Sequence, residues 1–105
     1  MPWGFFDGTA GGVPDRCGGG VVLYFDSHNY LFLKASFGEG SNNFAELNAL
    51  RLLMSKALEW GVQSIKNFGD SKISINWANG FQRCHILRLM PLLDEVMLLK
   101  LHFDF

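Results

Sequence analysis

Three carboxylates occupy positions from which they could act together as metal ligands. Asp7 and Asp70 each follow a short predicted strand and precede a small residue. This pattern predicts that each aspartate lies where a strand ends, which is where the sites of open α/β sheets gather. Glu46 lies in a segment of helical composition. Carboxylates that converge repel one another unless they bind a hard divalent cation such as Mg²⁺, which prefers oxygen ligands.

Glu46 is expected to point towards the protein core. At 100° per residue it lies within about 40° of an apolar helical stripe formed by Leu50, Leu53, Ala57 and Trp60. A glutamate near the start of a helix can instead simply complement the helix dipole, and an aspartate after a strand suits a turn. Taken one at a time, the three carboxylates therefore leave both interpretations open.

The first third of the chain predicts antiparallel strands. Runs of β-forming residues occupy positions 3–6, 21–25 and 30–33, and residues 26–29 have a turn composition at hairpin spacing. Six glycines between positions 8 and 20 predict a flexible connection between the first two runs. These elements place Asp7 at the end of the first strand.

The remainder of the chain alternates helices and strands. The longest predicted helix runs from Phe44 to Trp60 and ends before Gly61. After it come a strand at 65–68, a short helix at 71–79, a helix from Pro91 to about Lys100 and a fifth strand at 101–105. The carboxylates thus lie on three different predicted elements.

Composition excludes several classes of protein. The chain has 105 residues, of which 49% are hydrophobic and 18% are charged, so it should fold as one domain. Its net charge of −1 provides no general attraction for polyanions, so a nucleic acid would have to be held locally or through metal. Two cysteines without disulfide or zinc spacing, no signal peptide and no membrane-spanning run predict an intracellular protein without a membrane partner.

Four ordered motifs in this chain resemble type 1 ribonuclease H. They are Phe5-Phe6-Asp7-Gly8-Thr9, Gly18-Gly19-Gly20-Val21-Val22-Leu23, Ser41-Asn42-Asn43-Phe44-Ala45-Glu46-Leu47 and Phe68-Gly69-Asp70-Ser71. The likeness is strongest to the RNase H-like domains associated with reverse transcriptases of retroelements, and it covers essentially the whole chain. It implies an α/β fold with an RNase H-like mixed five-stranded sheet, in which three antiparallel strands precede parallel strands and helices pack on the sheet.

The resemblance also implies a two-metal endonuclease that hydrolyses the RNA strand of RNA-DNA hybrids with Mg²⁺ or Mn²⁺. Asp7, Glu46 and Asp70 would be its catalytic metal ligands. By analogy Asp7 bridges two ions about 4 Å apart, while Glu46 and Asp70 hold the ion on the leaving-group side. The ions would activate a water molecule and stabilise the leaving 3′ oxygen.

Four polar residues correspond to positions with which family members contact the hybrid. They are Thr9, Asn42, Asn43 and Ser71. Hydroxyl and amide side chains suit contacts to the minor groove and the 2′-OH, which distinguish RNA from DNA without reading sequence. Asn42 and Asn43 could equally cap the long helix, since asparagine is a favoured N-cap residue.

The sequence departs from the family at its C-terminal side. Family members carry a fourth carboxylate and a nearby histidine after the fifth strand, followed by a last helix, whereas this sequence stops at Phe105. Asp104 alternates with Phe103 and Phe105 and is therefore expected on the surface. The expectation is a single C-terminally shortened domain over residues 1–105 that lacks the last helix, as a fragment or as a short gene product.

This departure affects activity and association differently. A missing fourth ligand would impair catalysis more than metal binding. A sheet without its last helix would expose apolar area and favour self-association. A non-catalytic nucleic-acid or protein binding module on the same fold therefore remains the alternative to a nuclease.

Overall fold

The computed structural model describes residues 2–12, 16–69, 72–80 and 82–103. In these ranges the elements are β1 (Trp3–Gly11), β2 (Arg16–Tyr24), β3 (Tyr30–Glu39), α1 (Asn42–Glu59), β4 (Lys66–Gly69), α2 (Lys72–Ala78), a 3₁₀ turn (Leu87–Leu89) and α3 (Met90–Lys100). The described strands form one sheet in the order β3-β2-β1-β4. The first three strands are antiparallel and β4 pairs with β1 in parallel. A mixed sheet with helices packed on it confirms the predicted fold class.

The glycine-rich segment is strand for most of its length, so the prediction of a flexible connection is wrong. β1 extends to Gly11, and Ala10 pairs with Cys17 near the start of β2. A Cβ atom at Gly8 would lie 2.3 Å from the backbone C and O atoms of Ala45. Glycine is needed there because α1 lies directly against β1, and no other residue allows that approach.

The fifth strand predicted at 101–105 is not formed in the part that the structure describes. Leu101, His102 and Phe103 form a turn that continues α3, and each backbone N–H donates to the carbonyl oxygen three residues earlier. The Phe103 side chain is buried in the main core. Because the turn buries this ring, it is favoured over an extended segment with only a few alternating residues. Asp104 and Phe105 lie outside the described residues.

The long helix α1 covers one face of the sheet. Leu50, Leu53 and Ala57 of its predicted stripe are buried, and the main core joins them to residues of β1 and β2. The prediction for Trp60 is wrong, because α1 ends at Glu59 and the Trp60 side chain is 62% exposed. Its ring packs instead against Phe25, with 5.7 Å between centroids. No helix in the described ranges is long and apolar enough to span a membrane.

The turn between β2 and β3 follows the sequence prediction. The carboxylate of Asp26 accepts hydrogen bonds from the side chain of Asn29 and from the backbone N–H groups of His28 and Asn29. These bonds hold the pKa of Asp26 below its usual value, and the bond from the Asn29 side chain has the largest effect. The Asp26 carboxylate thus accepts hydrogen bonds from backbone N–H groups of the turn and stabilises the hairpin.

Candidate active site

Asp7 lies inside β1, on the face of the sheet opposite α1. Along this strand the residues that face the helix are buried and the alternate ones are exposed; the exposed residues near Asp7 are Phe5 and Thr9. The prediction that β1 ends at Asp7 is wrong, because pairing with β2 keeps β1 extended to Gly11. The last described pair of β4 with β1 is Gly69 with Phe6, at the residue before Asp7. The side chain of Asp7 is therefore open to a ligand from solvent.

Glu46 is buried in α1, as the helical spacing predicted. Its side chain is 9% exposed, and its Oε2 atom is buried. Glu46 is the fifth residue of α1, counted from Asn42, and the first turn contains no acidic residue. Because interaction with the helix dipole fades after the first turn, the dipole interpretation of Glu46 loses its support.

A single contact brings the two carboxylate-bearing segments together. A Cβ atom at Gly8 would lie 2.3 Å from the carbonyl group of Ala45 and 2.6 Å from the backbone nitrogen of Glu46. Asp7 directly precedes Gly8 in the chain. The backbone of β1 at Asp7 and the backbone of α1 at Glu46 are thus adjoining segments of the structure.

Asp70 and Ser71, the third predicted ligand and one predicted hybrid contact, lie outside the described residues. The last described pair of the parallel register is Phe6 with Gly69. Asp7 and Asp70 directly follow these two residues in the sequence. Within residues 2–12, 16–69, 72–80 and 82–103, no three His, Cys, Asp or Glu side chains form a group that could hold a metal ion. The predicted set of ligands is not covered by that search, because it includes Asp70.

The structure separates the roles of the polar residues at the start of α1. Ser41 is the N-cap, and its hydroxyl accepts a hydrogen bond from the N–H of Phe44. Asn42 is exposed and its Oδ1 accepts a 2.8 Å hydrogen bond from the backbone N–H of Ala10, while Asn43 is half-buried. The capping role considered for the two asparagines therefore belongs to Ser41. Sequence alone could not select it, because serine and asparagine cap helices equally well.

The open face of the sheet carries a lysine that the sequence analysis did not identify. In the strand register Asp7 pairs with Gly20, and Gly20 pairs with Lys34. At the usual strand spacing Lys34 lies about 10 Å from Asp7 across a glycine without a side chain. Its Nζ atom lies 5.8 Å from the centroid of the Phe32 ring. The alternation of residues 30–36 is the signal that could have placed Lys34 on this face, once the register was known.

A shallow depression lies beside Asp7 on the same face. Its volume is about 480 Å³, and it is lined by Phe5, Phe6, Asp7, Gly20, Val22, Phe32 and Gly69. One end of the face is aromatic, with the rings of Trp3 and Tyr24 stacked at 5.1 Å between centroids. The other end is polar, since Thr9 and Ser36 flank Gly18. The exposed carboxylate thus stands where the aromatic half of the face meets its polar half.

Comparison with known proteins finds one matching family and several solved structures of the same fold. The model of the family described as reverse transcriptase-like matches residues 5–105. The crystal structure of RNase H1 from Halobacterium salinarum superposes with a TM-score of 0.89 at 25% identity, covering 98% of this chain and 79% of that one. No curated protein matches the sequence.

Two further solved structures share the fold. LC11-RNase H1, isolated from compost by a metagenomic approach and solved in complex with an RNA/DNA hybrid, has a TM-score of 0.86 at 23% identity, over 98% of this chain and 78% of that chain. The RNase H domain of prototype foamy virus has a TM-score of 0.69 at 18% identity, over 98% of this chain and 75% of that chain. At these identities the likeness shows the fold alone.

Proposed function

Because the chain belongs to the reverse transcriptase-like family, we propose that residues 1–105 act as an RNase H-like nuclease domain that hydrolyses the RNA strand of RNA-DNA hybrids. The observation that carries the proposal is the contact at Gly8, which sets Asp7 and the buried Glu46 on adjoining backbone segments. Asp70 follows Gly69 in the sequence, and Gly69 forms the last described pair of β4 with β1. The backbones that carry Asp7 and Glu46 therefore adjoin, and Asp70 is the third ligand that we propose for this site.

The donor set fits Mg²⁺ or Mn²⁺. All three ligands offer carboxylate oxygens, which hard divalent cations prefer. Glu46 is nine-tenths buried, and a cation offsets the cost of keeping such a carboxylate charged. Asp7 is exposed, so the ions would remain accessible to a substrate. When bound, they supply an activated water molecule and stabilise the departing 3′ oxygen.

The RNA-DNA hybrid is the proposed substrate because the polar residues near Asp7 suit its minor groove. Thr9 is exposed on the same face as Asp7, two residues further along β1. Asn42, Asn43 and Ser71 complete the set of proposed contacts. LC11-RNase H1 has been solved with an RNA/DNA hybrid bound. Hydroxyl and amide groups bind the 2′-OH, which only the RNA strand carries.

Hydrolysis of an end-labelled RNA-DNA hybrid tests this function directly. We expect the purified chain to cut the RNA strand in Mg²⁺ or Mn²⁺, and to lose that activity completely when EDTA removes the metal. Double-stranded DNA of the same sequence is the matched substrate and should remain intact. A folded chain that binds the hybrid without cutting it in either metal would contradict the nuclease and support the binding module.

We also propose that, when no nucleic acid is bound, a second copy of this chain covers the aromatic half of the open face of the sheet. Phe5, Tyr30 and Phe32 are 46%, 63% and 53% exposed on this face, and contiguous apolar area of this kind favours association. In sedimentation velocity experiments at increasing concentration, the wild-type chain should shift towards twice its mass and Phe32→Ser should remain at one chain. Leu101→Ser, at a residue that is 79% exposed after α3, is the control and should associate like the wild type. A wild-type chain that keeps the mass of one copy at high concentration would contradict this proposal.

An intracellular location is proposed from the thiols. Cys17 and Cys84 are both buried, and neither forms a disulfide bond among the described residues. Reduced cysteines persist in the cytosol and nucleus, whereas small secreted domains usually depend on disulfides.

A further inference from the structure

We infer that Asn42 is a positioning residue, which fixes the start of α1 to β1 through its side-chain oxygen and so holds the backbone of α1 at Glu46 against the backbone of β1 at Gly8. The Oδ1 atom of Asn42 accepts a 2.8 Å hydrogen bond from the backbone N–H of Ala10, 32 residues earlier in the chain. This role is carried by the acceptor of the side-chain amide. A contact to the hybrid through the amide N–H₂ group, or a helix cap, would not require this bond.

The bond is made beyond the described pairs of β4 with β1. The last of these pairs is Phe6 with Gly69, while β1 continues to Gly11. Backbone N–H groups of a strand point alternately to its two sides, so an N–H that does not face β2 faces the side of β4. Beyond Phe6 that side has no described strand to accept from Ala10. Asn42 supplies the acceptor that β4 would have provided.

Two contacts then determine how α1 lies on β1. The helix touches Gly8 with the backbone of Ala45 and Glu46, and it bonds Ala10 with Asn42, one helical turn before Glu46. The contact at Gly8 limits how close the helix comes to the strand but does not prevent the helix from sliding along it. The hydrogen bond is directional and therefore prevents this sliding.

A second polar contact ties the same end of α1 to β2. The thiol of Cys17 donates to the carbonyl oxygen of Ser41 at 3.5 Å, and Cys17 pairs with Ala10 across the two strands. The start of the helix is therefore held to both strands of the hairpin that carries Asp7. Asn42 is the member of this set whose side chain can be replaced without disturbing the core, because it is exposed.

Nuclear magnetic resonance on Asn42→Ala and Asn42→Asp tests the inference. Aspartate keeps an oxygen that can accept from Ala10 but has no N–H₂ group. We expect the alanine variant to weaken the nuclear Overhauser effect between the Gly8 Hα protons and the Glu46 amide proton, and to accelerate exchange of the Ala10 amide proton about tenfold. The aspartate variant should restore both. Asn43→Ala is the matched control and should leave both unchanged.

A Mg²⁺ titration of the same variants, without nucleic acid, extends the test to the site and rests on the proposed function. Asn42→Ala should raise the dissociation constant for Mg²⁺ several-fold, and Asn42→Asp should return it towards the wild-type value. If the alanine variant keeps the Overhauser effect and the slow exchange, or if aspartate fails to restore them, the inference is wrong. If the wild type does not bind Mg²⁺ at all, the proposed metal site is wrong, and the Overhauser effect and exchange rate still decide the role of Asn42.

Discussion

Asp7→Asn and Glu46→Gln are each expected to lower the rate of hybrid cleavage by about a thousandfold or more while the chain stays folded. Each substitution preserves the shape of the side chain and removes its charge. A metal ion supplies several kcal/mol of charge stabilisation in the transition state, and about 4 kcal/mol corresponds to a thousandfold in rate. Neither substitution should destabilise the fold, because Asp7 is exposed and a neutral amide at the buried Glu46 is cheaper to desolvate. Single-turnover cleavage measures the loss of rate. Hybrid binding and thermal unfolding, measured on the same variants, show separately whether affinity and stability have changed.

A second glutamate on the same helix provides the control for this experiment. Glu59 lies at the exposed end of α1 and pairs with Lys56 at 3.0 Å. Glu59→Gln should cleave the hybrid like the wild type and change stability by less than about 1 kcal/mol, since exposed ion pairs contribute little. Asp70→Asn belongs in the same series and should behave like Asp7→Asn. Full activity in Asp7→Asn would show that the three carboxylates do not hold the catalytic metal.

Local patterns were sufficient to predict the elements that carry the site. The helical spacing that places Glu46 with Leu50 and Leu53 on one stripe correctly predicted a buried carboxylate. The turn at Asp26 and the first turn of α3, which contains Pro91, were also predicted, because each depends on residues that are close in sequence. These features follow from interactions within one element, so a single sequence contains the information for them.

The glycine-rich segment was misinterpreted because its meaning depends on a distant element. Glycine permits both a flexible loop and a close approach of two backbones, and the sequence does not distinguish them. Only the position of α1 shows that Gly8 faces the backbone of Ala45. The same ambiguity made Asp7 look like the end of a strand. The hydrogen bond from Ala10 to Asn42 was equally beyond prediction, because it joins residues 32 positions apart.

At residues 101–103 the local pattern predicted the wrong element, because burial of one side chain outweighs the pattern. Alternation of Leu101, Phe103 and Phe105 predicted a strand, but the burial of Phe103 in the main core keeps the described residues in a turn after α3. For Trp60 the local pattern predicted burial that does not occur. Its helical spacing placed it on the core stripe, but α1 ends one residue earlier and the ring is exposed.

Gly8→Ala is expected to lower the free energy of unfolding by about 3 kcal/mol or more, the upper end of the range for overpacking. The added Cβ would lie 2.3 Å from the carbonyl group of Ala45 and 2.6 Å from the nitrogen of Glu46. Both neighbours are backbone atoms, so no change of rotamer can relieve the clash and α1 has to move away from β1. Urea denaturation of the wild type and the variant measures this loss.

Gly11→Ala is the matched control on the same strand. A Cβ at Gly11 would meet no atom of the described residues within 4 Å, and Gly11 is not among the described glycines with positive φ. This substitution should leave the stability unchanged or raise it by up to about 1 kcal/mol, because alanine restricts the unfolded chain. In the temperature range where Gly8→Ala is still folded, its Mg²⁺ affinity should fall because Glu46 moves with α1, whereas that of Gly11→Ala should not. If Gly8→Ala were as stable as Gly11→Ala, β1 and α1 would not be in backbone contact, and the assembly of Asp7 with Glu46 would need another explanation.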